Sequence, residues 1–121
     1  MKYILLIHHD EQAWSGRTEA ERQQIYGEYR QLIQQLQSRG QYLTGGQLQP
    51  TTTSSIVRVR DGKQMVTDGP FAETREQIGG FFMIEANGLD EVTRIASQIP
   101  SARTGAIEIR LVVEAAAATP A

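Results

Sequence analysis

The chain opens on Lys2-Tyr3-Ile4-Leu5-Leu6-Ile7-His8, a nearly unbroken apolar run too short for a typical helix. Such a run predicts a strand buried on both faces. A stretch rich in Asp, Glu, Ser and Gly follows and reads as a loop. At Thr18-Glu19-Ala20-Glu21 the pattern changes. A Thr with a Glu three residues later is a capping box, in which hydroxyl and carboxylate satisfy each other's backbone N–H groups. Ile25, Tyr29, Leu32, Ile33 and Leu36 then recur at helical spacing, with Glu28, Arg30, Gln34 and Gln37 covering the other side. Gly40 is expected to stop this helix, because it takes positive φ without a Cβ clash.

Gln41–Gly46 predicts a second strand that loses regularity at its double glycine, and Gln47–Ser55 reads as a loop or irregular edge. Ile56–Arg60, Asp61-Gly62 and Lys63–Asp68 then form a hairpin signal. Asp-Gly favours a two-residue type I′ turn. That turn sets Arg60 opposite Lys63, Val59 opposite Gln64, Arg58 opposite Met65 and Val57 opposite Val66. Asp68 falls on the Val57/Val66 side, so it ends an apolar row if that side meets the core. Gly69-Pro70 must leave the hairpin, and Phe71 is expected to anchor the turn as a packed ring. Thr74–Ile78 is expected to form one helical turn before Gly79-Gly80, and Phe81–Glu85 another apolar strand. Leu89, Val92, Ile95, Ala96 and Ile99 mark a second helix, capped by Asn87 or Gly88 and stopped by Pro100. Ala106–Val113 alternates as a last strand, leaving 114–121 as a flexible Ala-rich tail to a 1–113 domain.

The order β-α-β, hairpin, β-α-β predicts an α+β, ferredoxin-like sandwich with an inserted β-hairpin. Two helices cover only one face of its sheet. The other face is expected to meet a second copy, leaving a cavity between subunits. Composition narrows the setting. The 121 residues carry 12 Lys+Arg against 14 Asp+Glu, so no basic footprint for nucleic acid is present. No apolar run spans a membrane, and no signal peptide follows Met1. Cysteine is absent, which excludes disulfides, thiolate metal sites and a Cys nucleophile. A soluble, cytoplasmic domain is the expectation, with no cofactor implied.

Asp68-Gly69-Pro70-Phe71-Ala72-Glu73-Thr74-Arg75-Glu76-Gln77-Ile78-Gly79-Gly80-Phe81 resembles the hallmark of the DGPF proteins, a branch of the YCII-related family. The resemblance extends to Tyr3–Ile7, Gly46–Pro50, Val57–Gly62 and Ile99–Arg103, and so covers residues 1 to about 113. It implies a ferredoxin-like fold paired into a dimeric α/β barrel. A His and an Asp shared by wider YCII members underlie the suspicion of enzymatic activity. Aligned on Gly40, that His falls at Tyr29 here, so His-based chemistry does not carry over. Similar DGPF proteins occur beside extracytoplasmic-function sigma factors, which implies a regulatory setting.

Asp68 is the first candidate for proton transfer or ligand anchoring, against a turn-closing role in which it accepts backbone N–H bonds. Tyr29 is a second catalytic candidate, against a packed ring on the helix stripe. His8, Gly46, Arg58, Glu73, Glu76 and Glu108 are ligand-binding candidates. Glu73 and Glu76 would share a side of a helical turn, while Arg58 and Glu108 would line an intersubunit space. Gly45-Gly46 lacks the longer glycine pattern of a phosphate loop, and His8, His9, Asp10 and Glu11 lack metal-ligand spacing, so no metal site is expected. Two functions follow. One is a homodimer binding a small molecule near Asp68, with or without acid/base activity. The other is a non-catalytic regulatory or interaction module, associated with a sigma factor. A monooxygenase or isomerase rests on fold analogy alone.

Overall fold

The computed structural model describes residues 1–114. The expected Ala-rich tail lies outside the described residues, apart from Glu114. The main sheet contains β1 (Lys2–His9), β2 (Tyr42–Gln47), β5 (Gln77–Glu85) and β6 (Ala106–Leu111) in the order β2-β5-β1-β6. All its neighbours are antiparallel. Two long helices, α2 (Glu19–Ser38) and α3 (Leu89–Gln98), complete a fold that fits the ferredoxin-like α+β class. No helix among the described residues is long and apolar enough to cross a membrane.

The core follows from alternation along the central strands. Tyr3, Leu5 and Ile7 of β1 and Phe82 and Ile84 of β5 are buried with Leu32 and Leu36 of α2 and Val92, Ile95, Ala96 and Ile99 around α3. The residues between them point the other way. Ile4 pairs with Met83 and Leu6 with Phe81, and all four are only half-buried. This second face carries no helix, and its apolar centre is flanked by Glu108 and Arg110 of β6.

α2 starts as its sequence predicts: the Thr18 hydroxyl accepts from the Glu21 N–H at 3.1 Å, and the Glu21 carboxylate accepts from the Thr18 N–H at 2.8 Å. That backbone bond also holds the Glu21 carboxyl below its ordinary pKa. Gly40 ends the helix at φ 69°. The hairpin of β3 (Ser55–Arg60) and β4 (Lys63–Asp68) has the expected register, with positive φ at both Asp61 and Gly62. It forms a two-stranded sheet of its own.

Four local expectations fail. The loop after β1 contains a short helix, α1 (Glu11–Ser15), because Asp10 caps it by accepting from the Gln12 and Ala13 N–H groups. The helical turn expected at 74–78 is absent. Gln77 and Ile78 instead extend β5, pairing with His9 and His8. The Val57/Val66 side does not face the core of the protomer: these residues are 59% and 56% exposed, whereas Ile56 and Arg58 on the opposite side are half-buried. Phe71 is no buried anchor either. It is 77% exposed, and its ring lies 5.7 Å from the Arg58 guanidinium carbon.

Two substitutions check this account in denaturant melts. Thr18→Ala is expected to lose about 1 kcal/mol by removing the cap. Phe71→Ala is expected to change the stability of the isolated protomer by less than about 0.5 kcal/mol, as for other surface positions.

Candidate functional site

Two double glycines that are distant in sequence meet in the sheet. Gly45 and Gly46 of β2 lie against β5, where Gly46 pairs with Phe81 and Gln47 with Gly80. A Cβ at Gly80 would come within 2.9 Å of the Gly46 carbonyl oxygen, and one at Gly45 within 2.7 Å of the Phe81 oxygen. The missing side chains of Gly45 and Gly79 leave room for the Tyr42 hydroxyl and the His9 ring to lie against the sheet. Here lies a cavity of about 240 Å³ floored by Gly45, Gly46, Gly79 and Gly80. Its walls are Ile7 and His9 of β1, Trp14 of α1, Tyr26, Tyr29 and Ile33 of α2, Tyr42 and Gln47 of β2, Phe82, and Ser101.

The walls are largely aromatic and packed edge to face. Ring centroids lie 5.5 Å apart for Trp14 and Tyr26, 6.1 Å for Tyr29 and Phe82, and 5.4 Å for Tyr42 and Phe82. Such pairs hold their rings in defined orientations. Trp14 reaches the cavity from α1, a five-residue helix without a fully buried residue, so its position depends on polar ties. The Glu11 N–H donates to Gln77 at 3.0 Å, and the Glu11 carboxylate accepts from the Thr51 N–H at 2.7 Å and the Thr51 hydroxyl at 2.8 Å.

The cavity's polar groups are few. The Gln47 amide donates to the Tyr26 hydroxyl at 3.1 Å, and the Tyr29 hydroxyl shares a 2.7 Å hydrogen bond with Ser101. Burial pushes the Tyr29 pKa up, with Ser101 and the Arg103 charge opposing, so the phenol remains a donor at neutral pH. Burial also lowers the His9 pKa, against the pull of Glu11, Asp10 and Glu76, and favours the neutral imidazole. No lining residue is Asp, Glu, Lys or Arg.

The structure divides the residues singled out from sequence. Tyr29 and Gly46 line the cavity. His8 lies on the other face of the sheet, 2.9 Å from the Glu108 carboxylate. Asp68, Glu73 and Glu76 are exposed at the foot of the hairpin and in the loop beyond it, and none lines the cavity. Arg58 sits beside Phe71. His9, Trp14, Tyr26 and Gln47 were missed. The available signal was the pair of double glycines, whose partnership appears only once β2 and β5 are set side by side.

Residues 1–116 match the YCII-related domain. The chain is also 32% identical over 112 residues to an uncharacterised protein of Rhizobium meliloti (strain 1021), covering 91% of this chain and 90% of that protein. The chain belongs to the YCII-related family.

Two measurements test how this YCII-related domain holds its cavity open. A Cβ at Gly79 would collide with the His9 ring at Nε2. Gly79→Ala is therefore expected to cost about 1–3 kcal/mol through overpacking, with part of the loss recovered in the Gly79→Ala/His9→Ala double variant. The second test is pH. With its pKa lowered by folding, His9 binds fewer protons in the folded than in the unfolded state. Its contribution is thus full above the ordinary histidine range and lost as pH falls toward the folded value. His9→Phe should flatten that part of the stability profile, read by urea unfolding at successive pH values.

Proposed function

We propose that this YCII-related domain binds a small, uncharged, planar molecule in the aromatic cavity between α2 and the glycine floor. The observation that carries this reading is a wall of Trp, Tyr and Phe rings without a formal charge, interrupted by a few hydrogen-bonding groups. Small-molecule sites typically combine those features. Size supports it too: an apolar cavity of roughly 150 Å³ holds benzene, so about 240 Å³ suits one ring with substituents or two small rings. Tyr29 is the proposed polar anchor, with its hydroxyl oriented by Ser101. Gly46 contributes through its backbone, which lines the cavity.

The same reading includes a homodimer of the dimeric α/β-barrel kind. Ile4, Leu6, Phe81 and Met83 make an apolar face without a helix, and a second copy would bury it. The hairpin's exposed Val57, Val59 and Val66 favour a second role, an interaction module of the sort suited to a sigma-factor partner. Asp68, Glu73 and Glu76 would join a ligand site only through a partner closing over the hairpin.

The chain contains one tryptophan, and it lies in the cavity wall, so its emission reports on the site directly. Titration with a panel of one- and two-ring neutral aromatics is expected to shift Trp14 fluorescence saturably, and Tyr29→Phe should weaken the ligands that carry a hydrogen-bond acceptor. Asp68→Asn should leave that binding unchanged; its loss would return the site to the hairpin foot. Sedimentation over a concentration series tests the assembly, with a strict monomer at high micromolar concentration removing the dimer.

A further inference from the structure

We propose that the His9 imidazole is the hydrogen-bond acceptor that selects the ligand of this cavity, and that the ligand class is the neutral hydroxyaromatic compounds. The inference rests on the cavity being a binding site and adds its chemical specificity.

Tyr29 is bonded to Ser101 and Tyr26 to Gln47, whereas the His9 ring nitrogens, the Tyr42 hydroxyl and the Trp14 indole N–H have no hydrogen bond among the described residues. Of these three the indole only donates, and the imidazole nitrogen is a stronger acceptor than a phenol oxygen. The ring lies over Gly79, at a distance that any Cβ there would obstruct. It also stands against Trp14, with centroids 6.4 Å apart. A half-buried imidazole with free nitrogens in the wall of an aromatic slot retains unused hydrogen-bonding capacity. Its neutral form supplies an acceptor at neutral pH, consistent with the lowering of its pKa by burial. An aryl hydroxyl is a better donor than acceptor, and its flat ring suits the surrounding rings.

Several charged or titratable groups face His9 and bear on any pH dependence. Asp10 and Glu11 lie at the β1–α1 corner, and Glu76 precedes β5. Arg17, Glu21, Glu28 and Arg103 share with His9 a cleft beside the cavity, and Tyr26 shares the cavity itself. A hydrocarbon of the same shape as the hydroxyl ligand controls for their titration, because it senses changes in cavity shape but forms no hydrogen bond.

The probes are 4-ethylphenol and 4-ethyltoluene, titrated calorimetrically into the full chain at about pH 8, where imidazole is neutral. The phenol is expected to bind about three- to tenfold more tightly, as one neutral hydrogen bond provides. His9→Phe keeps a flat ring beside Gly79 and should abolish that preference while preserving binding of the hydrocarbon. If the phenol keeps its advantage in His9→Phe, the role of His9 is overturned and the cavity reading stands. If neither probe binds the wild-type chain, the cavity reading fails. A second measurement needs no variant. As pH falls from about 8 far enough to protonate the His9 imidazole, whose pKa burial lowers, the phenol's advantage should fade in step with the protonation seen in the ring's NMR shifts, while the hydrocarbon's affinity stays level. A phenol preference that is unchanged across that protonation, or that rises, would overturn the proposal, since a protonated ring donates but cannot accept.

Discussion

A four-stranded sheet with helices on only one face sets the terms for the rest of this molecule. β1 is hydrogen-bonded along both edges, so its side chains can leave the sheet only upward or downward. Tyr3, Leu5 and Ile7 go up into the helix layer, while Ile4 and Leu6 go down to a face that carries none. The helix-side core of this domain is built from few residues, and five of its side chains, those of Leu5, Leu36, Ile84, Ile99 and Val92, are fully buried. Their packing fixes α2 over the sheet and thereby sets the height of the space above β2 and β5.

Within that frame the cavity is a matter of what is missing. Protein interiors are close-packed, and a void persists only where neighbouring groups cannot relax into it. Glycines let the Tyr42 and His9 side chains lie close against the sheet at its floor. The edge-to-face rings of Trp14, Tyr26, Tyr29, Tyr42 and Phe82 resist collapse because each is held by another ring. Trp14 completes the enclosure, its helix held by polar ties from Glu11 to Thr51 and Gln77, which lie in other segments of the chain.

The elements most visible in the sequence were those specified locally. The capping box at Thr18, the stop at Gly40 and the Asp61-Gly62 turn each depend on residues within a few positions of one another, and all three form. The side on which the hairpin is exposed was not legible, because alternation shows that Val57 and Val66 share a face without showing what that face meets. Asp68 drew attention for the same reason, and its environment was set by that undecided choice. The cavity depends on pairing between β2 and β5 across more than thirty positions of sequence. His9 was overlooked beside His8 because neighbouring strand residues point to opposite faces, and only the assembled sheet shows which of the two faces the cavity.

The hairpin's separation from the main sheet has a dynamic consequence. Its ladder bonds run only between β3 and β4, and every residue of β4 is exposed. A two-stranded ribbon that buries so little is marginally stable alone. Opening it breaks no bond of the β2-β5-β1-β6 ladder, so it can unfold as a separate cooperative unit with a small free energy of its own. The amide protons of Val57 to Val66 should therefore exchange with solvent long before those of Leu5 or Ile84. Any surface that settles on the hairpin would slow that exchange, making these backbone protons an internal gauge of occupancy.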